Sequence, residues 1–201
     1  MAQLQIWEKN METKKDIRNR ILGIREQLTQ EEWNSKSRQI YQRVVKHPLF
    51  LASEEIYCYI NFRHEVDTLG ILHAAWQLGK KVAAPKVTGK EMEFYYISSP
   101  SDLAEGYCKI MEPVTGRIAD ASEALVIMPG AAFDRECHRI GYGGGFYDKY
   151  LERHPQYARL ALAFDLQITD HIPADSYDIK PEVIITESGS VEEELYTDRW
   201  L

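Results

Sequence analysis

Cysteine is scarce in this 201-residue chain: there are three, Cys58, Cys108 and Cys137, odd in number, far apart and without a CxxC pair. That argues against a disulfide framework or a thiolate zinc site and for reduced thiols in a cytoplasmic protein. The six histidines are scattered and form no HExxH, so no transition-metal centre is expected. No apolar run reaches the ~20 residues of a membrane span, and the first residues lack the apolar core of a secretory signal. Lys and Arg number 24 against 31 Asp and Glu, a net charge of −7. This excludes a broad nucleic-acid surface but leaves room for a local patch that takes an anionic small molecule. The common nucleotide and hydrolase fingerprints are missing too. GxxxxGK[ST] occurs nowhere, GxGxxG would need glycine at Phe146, and there is no GxSxG elbow.

What is present is ordinary globular composition, 44% hydrophobic and 27% charged, enough for one domain over residues 13–201 after an N-terminal extension, 1–12. Residues 13–28 read as an amphipathic helix with Ile17, Ile21, Ile24 and Leu28 as its apolar stripe and Lys14, Lys15, Arg18 and Arg25 off it. Cations at a helix start are unfavourable unless an anion lies nearby. Thr29 and Glu32 have capping-box spacing and open a second helix to about Lys46. Strands are expected at 55–60, 81–85, 93–97, 124–128, 160–164 and 182–186, with a helix at 69–78 capped by Asp67 or Thr68. Residues 98–120 read as loop with short elements, Glu112-Pro113 as an ordinary turn, and the acidic tail from Glu187 as peripheral. Alternating helices and short apolar strands argue α/β with a mainly parallel sheet.

Chemistry concentrates in residues 129–151. After the apolar run 124–128 come a long loop, four glycines (Gly141, Gly143, Gly144, Gly145) and a helix opening at Phe146. Glycines allow positive φ and let an anion approach backbone N–H groups, while a helix start adds unpaired donors. Arg139 and Lys149 flank this turn. Asp148 in the first helical turn is a candidate to hold Mg²⁺ beside a bound phosphate, as is Asp178 in the late loop, because Mg²⁺ needs only one or two carboxylates plus phosphate oxygens.

Residues 128–134 (MPGAAFD) and 139–148 (RIGYGGGFYD) together resemble the signature of the 5-formyltetrahydrofolate cyclo-ligase family. Lys14-Lys15-x-x-Arg18, Glu65 followed by Asp67-Thr68, and Asp178-x-Lys180 agree with that family in order and spacing. Cys137 and His138 stand where such sequences often carry a glycine-containing turn. The resemblance implies a three-layer α/β/α fold similar to ribose-phosphate isomerase and CoA-transferase relatives. It implies ATP-dependent conversion of 5-formyltetrahydrofolate to 5,10-methenyltetrahydrofolate, with ADP and phosphate released and Mg²⁺ required. Carried over by position, Lys14, Lys15, Arg18, Arg139, Ile140, Gly141, Tyr142, Gly143, Gly144, Gly145, Phe146 and Tyr147 would hold ATP. Ile60, Glu65, Tyr142, Gly143, Gly144, Gly145 and Phe146 would contact the folate, and Asp148 with Asp178 would hold Mg²⁺. Glu65, Arg139 and Lys14 would be catalytic. The expected partners are small molecules only, with no nucleic acid or membrane, for a monomer or weak homodimer. A sugar-phosphate isomerase or CoA transferase on the same fold, and a non-catalytic folate- or nucleotide-binding protein, stand as rival readings.

Overall fold

A computed structural model describes residues 12–106, 109–114, 116–175 and 177–193. Cys108, most of the N-terminal extension and the end of the tail lie outside them. The helices are α1 (Lys14–Arg25), α2 (Gln30–Val44), α3 (Pro48–Ala52), α4 (Leu69–Gln77) and α5 (Phe146–Arg153). The strands of the main sheet are β1 (Glu55–Cys58), β2 (Lys81–Thr88), β3 (Glu91–Ile97), β6 (Leu125–Met128), β9 (Ala158–Leu162), β11 (Val183–Ile185) and β12 (Ser190–Glu192). They lie in the order β12-β11-β9-β6-β1-β2-β3. The five inner strands are parallel, with Ile56 opposite both Val82 and Leu125, and Leu160 opposite both Ile127 and Val183. The edge strands β3 and β12 are antiparallel to their neighbours.

Central strands fully buried along their length, such as EIYC and LVIM, need cover on both faces. One face packs Ile56, Cys58, Leu125 and Ile127 against Ile40 and Val44 of α2, Phe50 of α3 and Ile71 and Leu72 of α4. The other packs Tyr57, Val126 and Met128 against Phe133, Tyr150 and Leu151. The result is the three-layer α/β/α arrangement, with one outer layer reduced to α5 and a small second sheet. That second sheet, ordered β10-β7-β8, comprises β7 (Ala132–Asp134), β8 (Arg139–Ile140) and β10 (Ile168–Thr169). A short hairpin of β4 (Leu103–Glu105) and β5 (Met111–Pro113) completes the strands of the described residues.

Several local expectations change. The long loop expected after β6 contains the β7–β8 hairpin. The α1 stripe is narrower than the sequence indicates: Ile17 and Ile21 are buried, whereas Ile24 is 42% exposed and Arg25 only 4%. At 100° per residue Ile24 and Arg25 fall on opposite flanks of the Ile17–Ile21 stripe, Arg25 on the flank shared with Arg18 and Leu22, and the buried face is rotated toward that flank. Thr68 does not cap α4. It is buried and bonded to Asn61, while Asp67 Oδ1 accepts from Leu69 N at 3.0 Å. The strands expected at 81–85 and 93–97, with a turn expected at 87–90 between them, extend to a two-residue turn at Gly89-Lys90, Thr88 pairing with Glu91. The tail is not wholly peripheral: Glu187 is 7% exposed, pairs with Lys36 and precedes edge strand β12.

Burial decides how α1 is held. Its Ile17 and Ile21 pack on Ala132, Ile140 and Ile172, worth roughly 1.5–3 kcal/mol each. Its part-exposed Lys14 ion pairs contribute no more than about 1 kcal/mol. Lys14 is therefore free to change partners without releasing the helix.

Between Asp134 and Arg139 the chain turns through Cys137, buried at φ 61°. The left-handed conformation suited to glycine is retained with a thiol in its place. Cys137→Val should lose about 2 kcal/mol, roughly 4–8 °C in Tm, because a β-branched side chain strains this region most. An unchanged melting temperature would show that the turn relaxes out of the left-handed region.

Candidate active site

The topology reverses between β1 and β6: the chain leaves β1 toward β2 on one side, and β6 toward β9 on the other. Ligands in open parallel sheets bind beyond the carboxyl ends of strands at such a point. A cavity of about 520 Å³ opens there, lined by Tyr59 and Ile60 after β1, Pro129 after β6, and residues of the glycine turn. Its walls are largely apolar and aromatic (Ile60, Phe62, Val87, Met92, Phe146, Tyr147), with Glu65, Arg25, Arg139, Asp148 and Glu112 as charged groups and Glu26 and Arg63, both exposed, also in the lining.

Glu65 is fixed by its own turn. Its Oε2 accepts from Phe62 N at 2.8 Å, and its carbonyl accepts from Trp33 Nε1 at 2.7 Å. Burial pushes its carboxyl above the ordinary value, opposed by the Tyr142 hydroxyl, the Phe62 amide and the Arg25 charge. Tyr142 is 45% exposed as a residue, yet its hydroxyl reaches inward, accepting from Arg25 Nη1 at 2.8 Å and lying 3.4 Å from the Gly130 carbonyl. Burial and the adjacent Glu65 raise its pKa strongly, so it stays a neutral phenol.

The glycine turn is held from below. Arg139, 7% exposed, reaches Asp148 Oδ1 at 2.8 Å and the Pro129 carbonyl at 3.3 Å, and its Nε has no partner among the described residues. A Cβ on Gly141 would meet Arg139 Nη1 at 2.9 Å, and one on Gly144 would meet the Phe146 ring at 2.5 Å. Gly143 and Gly145 have φ of 101° and 64°. Gly145 is the N-cap of α5 and offers no side-chain cap, so the first-turn N–H donors stay open to an anion.

Arg18 and Lys14 do not line the cavity. Arg18 Nε donates to the Gly141 carbonyl at 2.8 Å. Lys14 Nζ lies 2.6 Å from Asp175 and 2.5 Å from Asp178. Partial burial works against the Lys14 ammonium, but the two carboxylates outweigh it and raise its pKa. They also answer the electrostatic puzzle of cations at a helix start, helped by a Thr13–Asp16 capping box. Lys15 is exposed. Ile140 is 1% exposed and packs on α1, so only its backbone borders the turn.

The two aspartates expected at a metal are brought close through the chain, since Asp148 Oδ1 also accepts from Ile179 N, next to Asp178. Each already faces a cation, and among the described residues no group of three or more metal-ligating side chains forms. That donor set suits Mg²⁺ arriving with phosphate oxygens, not a protein-only cation cage.

The structure places the sequence-predicted Ile60, Glu65, Arg139, Tyr142, Phe146, Tyr147 and Asp148 around one cavity, and Lys14, Lys15, Arg18 and Asp178 outside its lining. The sequence reading missed Arg25, Asp175 and Glu112. Arg25 had a signal, since Arg18, Leu22 and Arg25 follow i, i+4, i+7 spacing. Glu112 had none: it is buried because Gly106 leaves room for its carboxylate, and Oε1 accepts from Val87 N.

A raised carboxyl binds its proton more tightly in the folded state, so Glu65 costs stability as pH rises from the unfolded to the folded value. Glu65→Gln should thus melt higher than the parent at pH 7, with the difference vanishing at low pH. Thermal melts across that range test this, and a variant less stable at pH 7 would contradict it.

Comparisons with known proteins agree with this architecture. A mouse protein named 5-formyltetrahydrofolate cyclo-ligase is 28% identical over 177 residues, covering 81% of this chain and 87% of the relative. Its namesake in Escherichia coli K12 is 27% identical, covering 82% and 94%. The solved structure of Aquifex aeolicus 5,10-methenyltetrahydrofolate synthetase is 30% identical and superposes with a TM-score of 0.79 over 90% of this chain and 93% of that one. With residues 10–187 matching the family's sequence pattern, the chain belongs to the 5-formyltetrahydrofolate cyclo-ligase family.

Proposed function

We propose that this protein is an ATP-dependent ligase that cyclises 5-formyltetrahydrofolate to 5,10-methenyltetrahydrofolate, releasing ADP and phosphate. The observation that carries this reading is that two kinds of group meet at the glycine turn. A largely apolar, aromatic cavity with a buried carboxylate is bordered by the turn and the start of α5, and Arg18 and Lys14 lie outside its lining, Arg18 on the turn's Gly141 carbonyl and Lys14 beside Asp178. A flat reduced-pterin head suits the first and a triphosphate the second. The reacting atoms would meet at the turn.

A formamide oxygen is a weak nucleophile and hydroxide a poor leaving group. The formyl oxygen attacks the γ-phosphorus, the bond to ADP breaks, and the oxygen becomes a phosphate ester. The N10 amine then adds to the activated carbon, its proton is lost, and the C–O bond breaks as phosphate leaves. Such chemistry asks the protein for alignment and charge neutralisation. Lys14, Lys15, Arg18, Arg139 and the backbone of residues 140–147 would hold the triphosphate, Lys14 exchanging Asp175 and Asp178 for phosphate oxygens. Arg139 aligns the turn through Asp148. Glu65 and Ile60, with the 142–146 turn, would seat the folate, Glu65 holding the formyl-bearing ring. Asp148 and Asp178 would hold Mg²⁺, whose role is to neutralise charge on the transferred phosphoryl group. Every residue invoked lies in one chain, which suits a monomer or weak homodimer. The buried, unpaired thiols of Cys58 and Cys137 suit a reducing cytoplasm.

Purified protein mixed with 5-formyltetrahydrofolate, ATP and Mg²⁺ should form the methenyl product, followed by its near-ultraviolet absorbance, and none if ATP or metal is omitted. Product formed without ATP, or no product from folded protein, would refute the reading. With ¹⁸O in the formyl group, the label should appear in released phosphate; its retention elsewhere would exclude phosphoryl activation. Glu65→Gln should lower kcat/KM for the folate about tenfold or more, the scale of a buried charge-assisted hydrogen bond, with ATP binding retained. Asp148→Asn should raise the Mg²⁺ concentration needed for half-maximal rate, and unchanged metal dependence would remove Asp148 from the metal.

A further inference from the structure

Arg25 has no part in the chemistry described so far, yet it is the most buried cation in the wall of the cavity, at 4% exposed. A desolvated guanidinium is costly unless its donors are matched. Here they are largely unmatched. Nη1 donates to the Tyr142 hydroxyl at 2.8 Å, Nε is sealed from solvent without an acceptor, and among the described residues none accepts from Nη2. The charge nearest in kind is Glu65, which Arg25 favours in its ionised form and which shares the Tyr142 hydroxyl with it. The site so built is a buried cation with spare donors, facing an aromatic slot, lacking only an oxygen acceptor.

We propose that Arg25 is a substrate-binding residue that holds the ring carbonyl oxygen of the reduced-pterin head. The proposal rests on the cyclo-ligase reading and extends it. Two oxygens of that head are candidates, and the chemistry separates them. The formyl oxygen must offer electron density to phosphorus, and a cationic donor on it would drain that density. The ring carbonyl, conjugated to the amino-pyrimidine, is electron-rich and makes no bond in the reaction. Gripping it would hold the head while leaving the formyl group free to turn toward the glycine turn. The Tyr142 hydroxyl, fixed between Arg25 and Glu65, would then tie that grip to the turn itself.

The test compares the parent with Arg25→Met, which keeps the bulk of the stem, and Arg25→Lys, which keeps the charge without the planar fork. Binding of 5-formyltetrahydrofolate and of unformylated tetrahydrofolate is titrated without ATP, beside steady-state KM values. Arg25→Met should weaken both folates by about 10–100-fold, the scale of a lost charge-assisted hydrogen bond, with KM for ATP within about twofold. The acid limb of kcat/KM should also move to higher pH, because Glu65 loses a neighbouring positive charge. Arg25→Lys should restore the acid limb and only part of the affinity. Parent-like affinity for both folates in either folded variant would overturn the assignment. Weakening confined to the formylated ligand would overturn it too, by placing Arg25 on the formyl oxygen. If Arg25→Met fails to fold, the Lys variant alone decides by the same affinities. A parent that binds neither folate would refute the underlying cyclo-ligase reading, a separate failure from intact parent binding with indifferent variants.

Discussion

The Arg139–Asp148 ion pair joins the elements that build the site. Arg139 comes from β8, Asp148 from the first turn of α5, and the glycine turn is the loop between them. Arg139 also reaches back to the carbonyl after β6, and Asp148 reaches forward to Ile179 in the late loop. A nearly buried guanidinium demands such partners, and removing one would leave the other uncompensated. Sheet, hairpin, turn, helix and late loop therefore take their relative positions from one pair of side chains. Of the four glycines Gly141 is the one tied to this pair, since a Cβ there would meet Arg139 Nη1 at 2.9 Å.

Around that pair the site divides by polarity. On the sheet side, the cavity is largely apolar and aromatic, and burial raises the pKa of its carboxylate. On the α1 side, charges are wetter and their pairs weak, so cations there can be shared with an incoming anion at little cost. α1 belongs to both halves. Its apolar face anchors it, Lys14 and Arg18 serve the outer half, and Arg25 points the same helix into the inner one. A single helix thus borders both the cavity and the glycine turn.

Much of this was legible in the sequence. Runs such as EIYC and LVIM announce buried parallel strands, and the glycine cluster before an amphipathic octet announces an open helix N-terminus. What escaped were features set by tertiary contact. Arg25 looks solvated because charge normally is, and only its spacing from Arg18 and Leu22 betrays it. Glu112 is buried by the absence of a side chain at Gly106, which no periodicity encodes. The β7–β8 hairpin is too short for an alternation signal and is specified by the Asp134 carboxylate, which collects N–H donors from Glu136, His138 and Ile172. Glu187 reads as tail until Lys36 of α2 is placed beside it.

The central claim is that the glycine turn separates a folate pocket from a triphosphate pocket. The most direct measurement is a structure of the protein with 5-formyltetrahydrofolate and a non-hydrolysable ATP analogue. The pterin should lie against Glu65 and Arg25, with the γ-phosphate on the open N–H groups of α5 and Lys14 turned from Asp175 and Asp178 toward it. A nucleotide base seated in the cavity beside Glu65, or both ligands on the same side of the turn, would contradict the account.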